Sequence, residues 1–270
     1  MGLTAQSSGL AAFLEELKQN SGIKADAVIA LAGNPNTGKS TVFNGLTGLN
    51  QHTGNWPGKT VILAKGNYQH QNRNITLVDL PGTYSLLANS TDEQVARDFI
   101  CFGNPDAVVV VADATCLERN LNLVLQVMEI TPQTILCLNL MDEARRKRLE
   151  IDCSKLESIL GIPVVPTAAR NKTDLNELKD AIDKVVFEKW CGRPKRLMYH
   201  ESIEKAVAEI QKDLELLLPG NFNSRWMALR LLDGDATIIQ EMSRYLQNLQ
   251  KPANLHEPLR FKSGAVNCCE

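Results

Sequence analysis

A glycine-rich octapeptide near the start of the chain has the residue types and spacing of a phosphate-binding loop. Residues 33–40, GNPNTGKS, fit the pattern G-x-x-x-x-G-K-S/T between an apolar run at 27–32 and a predicted helix at 40–47. In such a loop backbone amides converge on phosphates, and the following helix N-terminus adds positive potential. Lys39 would then reach the β- and γ-phosphates and Ser40 would bind Mg²⁺. A fortuitous glycine-rich turn is the alternative, and the motifs that follow argue against it.

A second motif, DLPG at 79–82, follows the predicted strand 75–78. A carboxylate at a strand end beside the phosphate-binding loop can hold Mg²⁺ through water, and the Gly82 amide is placed to sense the γ-phosphate. Alone, the motif could be a simple β-turn. Together with the first motif, it predicts a nucleoside triphosphate site.

The third motif, NLMD at 139–142, follows the predicted strand 134–138 and indicates the base. An aspartate carboxylate can accept hydrogen bonds from N1 and the 2-amino group of guanine, and adenine offers no such pair of donors. A site built for such donors strongly rejects an analogue that lacks them. Thr167, Ala168 and Ala169 follow the strand 162–165, where a backbone amide could meet the guanine O6.

Between the first two motifs, residues 51–60 form a polar segment with two glycines and a proline. This composition predicts a mobile switch in which Thr60 completes Mg²⁺ coordination when the γ-phosphate is present. Trp56 could be a packing anchor or a partner contact.

The predicted site therefore comprises three overlapping groups of residues. Those expected to contact nucleotide are Gly33, Asn34, Pro35, Asn36, Thr37, Gly38, Lys39, Ser40, Thr41, Gly58, Lys59, Thr60, Asp79, Gly82, Asn139, Asp142, Thr167, Ala168 and Ala169. Those expected to act in catalysis are Asn36, Lys39, Thr60 and Gly82. The expected metal ligands are Ser40, Thr60 and Asp79 for Mg²⁺, and Asn36 for K⁺.

These motifs require strands and helices that alternate along the chain. Strand candidates at 27–32, 60–64, 75–78, 107–112, 134–138 and 162–165 are interleaved with helical stretches at 93–102, 117–130, 142–148, 154–160 and 174–189. The pattern predicts an α/β, Ras-like P-loop fold with a mainly parallel sheet, helices on both faces and one antiparallel edge strand from a hairpin with a turn at 66–74.

Domain boundaries follow from changes in this pattern. Residues 1–24 form an N-terminal extension with a helix at 8–19, and 25–192 form the α/β domain. Helical patterns at 201–218, 224–232 and 235–250 place an all-α subdomain at 193–252, and 253–270 form a tail.

Composition narrows the class of protein. The net charge of −2 gives no drive toward nucleic acid, and no secretory leader or apolar run of membrane-spanning length is visible. The seven scattered cysteines predict free thiols, with Cys268 and Cys269 either in an exposed tail or in a metal or lipid site. The four histidines lack nearby carboxylates or thiols at ligand spacing, so they are not expected to form a metal site. The chain is expected to be cytoplasmic.

Five segments together resemble one family, the cytoplasmic N-terminal region of the FeoB ferrous iron transporters of prokaryotes. They are GNPNTGKS at 33–40, HTGNWPGKTV at 52–61, DLPGTYSL at 79–86, NLMD at 139–142 and RWMALRLLDGD at 225–235. The resemblance covers roughly residues 25–250. It implies a GTPase domain joined to a helical domain, both serving Fe²⁺ uptake through a membrane domain of the same polypeptide at the cytoplasmic face of the inner membrane. Homo-oligomerisation is left open, and no direct iron site is expected in this chain.

The residue after the DLPG glycine is Thr83, where many GTPases carry a glutamine that orients the attacking water. Arg73 and Arg97 are candidates for an internal arginine finger only by their sequence positions. Asn36 matches the asparagine that helps coordinate K⁺ in potassium-activated relatives, and a cation there would do the electrostatic work of an arginine. As an alternative, Asn36 is only a turn residue.

Two other functions remain open. One is a ribosome- or RNA-associated GTPase, for which the best basic cluster is at 145–148, and such a run usually forms a solvated face. The other is a nucleotide-gated interaction module in which hydrolysis serves only as a timer.

Overall fold

A computed structural model of the protein describes residues 25–48, 51–55, 61–87, 90–169, 172–188, 190, 194–217 and 223–249. The predicted helix at 8–19, the tail from 253 and Cys268–Cys269 lie outside these residues. Within them, no helix is both long and apolar enough to cross a membrane.

Seven strands form one mixed sheet in the order β2-β3-β4-β1-β5-β6-β7. The strands are β1 (Ala27–Gly33), β2 (Gln51–Asn55), β3 (Ile62–His70), β4 (Arg73–Asp79), β5 (Ala107–Asp113), β6 (Thr134–Asn139) and β7 (Val164–Pro166). β1 lies at the centre, parallel to β4 and β5, and every residue of it is buried. Its continuous apolar sequence is what a strand covered on both faces requires, and the predicted fold class is confirmed.

The hairpin differs from its prediction because polar residues 66–70 belong to β3. β3 and β4 pair in antiparallel fashion up to His70 and Arg73. The turn between them is only Gln71-Asn72, whose φ angles of 46° and 61° are left-handed. A two-residue turn of this kind matches the twist of the strands it joins. Tyr68 and Leu63 are buried on the sheet, so polar neighbours do not prevent strand formation.

The expectation of one antiparallel edge strand is also wrong. Residues 51–55, predicted as part of the switch loop, form β2, which pairs antiparallel with β3. Backbone pairing satisfies the N–H and C=O groups along the edge of β3, and this needs no apolar side chains on β2. Residues 56–60, including Trp56, lie outside the described part of the chain.

Helices cover both faces of the sheet. α1 (Lys39–Thr47) and α6 (Lys172–Phe187) pack on one face; α2 (Thr91–Phe102), α3 (Leu117–Ile130) and α5 (Cys153–Leu160) pack on the other. A short helix, α4 (Met141–Arg146), follows β6. The basic residues 145–148 are exposed, as a solvated face requires. Cys101, Cys116, Cys137 and Cys153 are free thiols.

Three further helices, α7 (Glu201–Leu217), α8 (Ser224–Leu232) and α9 (Ala236–Leu249), occupy the predicted helical positions. Trp226 and Met227 of α8 and Ile238 of α9 belong to the same buried apolar cluster as residues of α2 and α3. The C-terminal helices are therefore packed onto one helical layer of the α/β unit.

Candidate functional site

The glycine-rich loop leaves β1 at the carboxyl edge of the sheet and enters α1. Asn36 and Gly38 have left-handed φ angles of 67° and 80°. A Cβ on Gly38 would collide with the carboxamide of Asn139, so only glycine fits there. No side chain caps the start of α1. The Thr41 and Val42 amides donate to the Gly38 carbonyl oxygen, and the uncapped helix start suits an anion. Asn36 and Ser40 are exposed at the same edge.

Lys39 pairs with Asp79 across the carboxyl ends of the neighbouring strands β1 and β4. Its ammonium contacts the Asp79 carboxylate and donates to the Leu80 carbonyl oxygen at 2.6 Å. Burial raises the pKa of Asp79, and the Lys39 charge opposes that rise. The groups predicted to serve the phosphates and Mg²⁺ thus neutralise each other in this structure.

An open cleft of about 570 Å³ lies beside this pair. Lys39, Asp79 and Pro81 line it together with Thr91 and Asp92. The last two residues were missed by the sequence analysis. Their only sequence signal is that they begin a helix soon after the DLPG motif, and Ser90 caps that helix by accepting a hydrogen bond from the Glu93 amide.

The carboxamide of Asn139 joins three of the predicted motifs. Its Nδ2 donates to the Thr37 carbonyl oxygen at 2.9 Å, and its Oδ1 accepts from the Ala169 amide at 3.0 Å and the Thr167 hydroxyl at 3.3 Å. Asn139 and Thr167 are each 1% exposed. A single side chain therefore links the phosphate loop to the two segments predicted to bind the base, which we call the base-side segments: NLMD at 139–142 and residues 167–169. These three segments are distant in sequence.

The base-side amides have protein partners in this structure. The Ala168 amide donates to the Asp174 carboxylate at 2.9 Å, while the Ala169 amide is held by Asn139. A contact between either amide and guanine O6 would have to share or replace these bonds. Asp142 lies in the first turn of α4 and is half-buried, after Leu140, whose φ of 62° turns the chain there.

The DLPG segment rests against the glycine-rich loop. The Thr83 amide donates to the Gly33 carbonyl oxygen at 3.1 Å, and a Cβ on Gly82 would lie 3.4 Å from the Pro35 Cα. The next residues are held by α3: Gln126 Oε1 accepts from the Leu86 amide at 2.7 Å, and the Arg119 guanidinium lies over the Tyr84 ring at 4.3 Å.

The structure places neither candidate arginine at the phosphate loop. Arg97 is fully buried and donates to Asp98 and to Asp235, the residue just before α9. Arg73 begins β4, at the opposite end of the strand from Asp79, and pairs with Asp183 at 3.3 Å. His70, whose sequence neighbours include no carboxylate, lies 2.7 Å from Asp180 on α6. Gly58, Lys59 and Thr60 lie outside the described residues.

Two families match this chain. FeoB_N, ferrous iron transport protein B, matches residues 27–182, and the FeoB cytosolic helical domain matches residues 199–262. The chain is 44% identical over 232 residues to the Fe(2+) transporter FeoB of Methanocaldococcus jannaschii. The matched region covers 86% of this chain and 33% of that protein. The chain therefore spans about a third of the length of that relative.

Solved structures give the same result. The cytosolic domain of the T. maritima FeoB iron transporter in GDP form II is 35% identical, with a TM-score of 0.73 over 87% of this chain and 89% of that one. The same domain in its GMPPNP form has a TM-score of 0.72 at 35% identity over 87% of this chain and 88% of that one. The α/β unit thus has the fold of a P-loop G domain.

Proposed function

The chain belongs to the FeoB family of ferrous iron transport proteins, and on that premise we propose that it binds GTP and hydrolyses it to GDP and phosphate. The observation that carries the proposal is the Asn139 carboxamide, which links the phosphate loop at Thr37 to Thr167 and Ala169. This link fixes the distance between the phosphate-binding loop and the residues expected to bind the base. A bound nucleotide would span that distance, with its phosphates at the loop and its base at Thr167 and Ala169. The GDP and GMPPNP forms of the T. maritima domain are in accord with this reading.

The donor set suits Mg²⁺. Ser40 supplies a hydroxyl and Asp79 a carboxylate at the same edge of the sheet, and Mg²⁺ prefers such hard oxygen ligands beside phosphates. Thr60 is proposed as a further ligand. When bound, Mg²⁺ would neutralise phosphate charge. Lys39 would leave Asp79 to bind the phosphates, and Gly82 would offer its amide to the γ-phosphate.

Asn36 suits a monovalent cation, since its side chain is exposed on the phosphate loop and carries a carbonyl oxygen. Neither candidate arginine reaches that loop, and Thr83 is too short to position water as a glutamine does. A K⁺ ion held by Asn36 would supply positive charge to the phosphates. We therefore expect turnover that is slow in Na⁺ and faster in K⁺.

The test is GTP turnover by the full chain in equal concentrations of K⁺ and Na⁺, with Mg²⁺ present. Asn36→Ala is expected to lower the K⁺ rate to the Na⁺ rate. Asn104→Ala is the matched control, because Asn104 is another exposed asparagine with a left-handed φ, 47° against 67°. Equal rates in both salts for the wild type, or retained K⁺ stimulation in Asn36→Ala, would contradict the cation role.

For the whole protein, we propose that this chain is the nucleotide-operated part of a longer ferrous iron transporter at the cytoplasmic face of the membrane. Iron flux in the full-length protein, compared between GTP and a non-hydrolysable analogue, tests the coupling. Flux that needs turnover supports hydrolysis as the drive. Flux that needs only binding makes the chain a nucleotide-gated module with hydrolysis as a timer.

A further inference from the structure

The carboxamide of Asn34 is buried in the phosphate loop without a partner. The residue is 3% exposed, and neither its Oδ1 nor its Nδ2 has a hydrogen-bond partner in the described part of the chain. Its backbone carbonyl oxygen, in contrast, accepts from the Thr37 hydroxyl at 2.9 Å. Buried polar groups in native proteins are almost always paired, because an unpaired one carries its full desolvation cost. A partner that this structure does not contain, supplied by a second state of the site or by a water molecule, would therefore pair this side chain.

The residues on either side of Asn34 show which segment can supply the partner. Gly33 accepts from the Thr83 amide at 3.1 Å, and Pro35 lies against Gly82. The end of the DLPG segment, at Gly82 and Thr83, thus lies against the two residues that flank Asn34. Thr83 is itself buried, with 4% exposure. Among the described residues, no other segment that is predicted to move with the nucleotide contacts both Gly33 and Pro35.

We propose that Asn34 is a positioning residue that stabilises the triphosphate state by hydrogen-bonding the Gly82–Thr83 segment. The inference rests on the proposed GTPase function. If the Gly82 amide turns to the γ-phosphate, we expect the bond from the adjacent Thr83 amide to Gly33 to change. The carboxamide of Asn34, the next residue after Gly33, carries an unpaired acceptor and donor that could replace that bond. A contact made in only one of two states shifts the equilibrium toward that state.

Replacing Asn34 is expected to affect the present state and the triphosphate state differently. Asn34→Ala removes an unpaired polar group from the present state and a paired one from the triphosphate state. We expect the nucleotide-free thermal midpoint to stay the same or rise. GDP affinity is expected to stay within about threefold, and affinity for a non-hydrolysable GTP analogue to fall about tenfold, the effect of one hydrogen bond. Asn34→Leu, close in shape but without polar atoms, is expected to behave alike.

The experiment is titration of the full chain, in Mg²⁺ and K⁺, with GDP and with the non-hydrolysable GTP analogue. Asn120→Ala is the control. Asn120 is also buried, on α3, and it is half paired: its Nδ2 donates to the Cys116 carbonyl oxygen at 2.8 Å, whereas its Oδ1 has no partner in the described part of the chain. Its loss is expected to lower the thermal midpoint and leave the ratio of the two affinities unchanged.

The outcomes separate the inference from the function beneath it. A wild type that binds both nucleotides, with variants that shift their ratio, supports the role of Asn34. Variants that lower both affinities equally, or lower only the thermal midpoint, overturn it, because a trapped water or a purely structural role would act in that way. A wild type that binds neither nucleotide overturns the proposed function together with this inference.

Discussion

At the scale of single residues, base specificity depends on the chemistry of Asp142. Its carboxylate offers two acceptors, which match the N1–H and 2-amino donors of guanine. An asparagine there has one acceptor and one donor, so it meets the 2-amino group with the wrong polarity. Xanthine carries an oxygen at that position, which an asparagine can satisfy.

We therefore expect Asp142→Asn to weaken GDP binding at least roughly 100-fold, because a buried donor pair is left unmatched. Binding of xanthosine diphosphate should rise at the same time. Competition titrations with GDP, xanthosine diphosphate and ADP measure this exchange. Glu143→Gln is the control, since Glu143 is the next residue on α4 and pairs with Arg146. Unchanged GDP affinity in Asp142→Asn would exclude Asp142 from the base site.

At the scale of elements, patterns carried by one segment were predicted well. α3 at 117–130 and α8 at 224–232 have the predicted bounds, because apolar periodicity and flanking turn residues are local signals. Residues 51–55 of β2 and 66–70 of β3 were not predicted as strand, because they form strands through pairing with a neighbouring strand rather than through their own composition.

The same limit applies to the site. The three motifs and their approximate order at the sheet edge followed from sequence. The Lys39–Asp79 pair and the Asn139 link did not, because they join residues far apart in the chain. The sequence position of Arg97 alone makes it a candidate for an arginine finger. The structure places it in a buried ion network with Asp98 and Asp235, which nothing in its own segment indicates.

The start of α8 offers a test of how an element is docked. Asn223 caps α8 by accepting from the Trp226 amide at 2.9 Å, and its Nδ2 also donates to the Glu129 and Ile130 carbonyl oxygens at the end of α3. A cap alone contributes about 1 kcal/mol to the free energy of unfolding. The additional bonds should raise the loss in Asn223→Ala to about 2–3 kcal/mol.

Asp152→Ala is the matched control for this prediction, since Asp152 caps α5 through the Lys155 amide and is exposed. Chemical denaturation of both variants gives the two losses. If both cost about 1 kcal/mol, the bonds from Asn223 to α3 contribute nothing beyond the cap.

At the scale of the whole molecule, one apolar cluster runs through α2, α3 and the C-terminal helices, and one buried ion network crosses the same boundary. Arg97 is fully buried and donates to Asp235 at 3.0 Å and to the Thr237 hydroxyl at 2.8 Å. α2 begins at Thr91, soon after the DLPG segment in the chain. The same helix therefore joins the DLPG region to the C-terminal helices, and the Arg97 network is the polar part of that connection.

The stability of this connection is expected to depend on pH. Burial acts to raise the pKa of Asp235, but hydrogen bonds from Thr237 and the charge of Arg97 outweigh it and lower the pKa overall. A carboxyl group with a lowered folded-state pKa binds fewer protons folded than unfolded. Its stabilisation is therefore complete above the unfolded value of about 3.9 and is lost as the pH falls through the folded value.

Asp235→Asn leaves the buried Arg97 with one carboxylate partner fewer and is expected to cost about 3 kcal/mol at neutral pH. The difference from wild type should begin to shrink near pH 4, where the unfolded-state carboxyl group starts to bind a proton, and should vanish as the pH falls through the lower folded-state pKa. Asp233→Asn is the control, because Asp233 is 62% exposed and its pair with Arg230 should contribute less than about 1 kcal/mol. Calorimetry across pH distinguishes them. Equal losses in the two variants, or a loss in Asp235→Asn that does not change with pH, would show that the Arg97 network does not hold the C-terminal helices to α2.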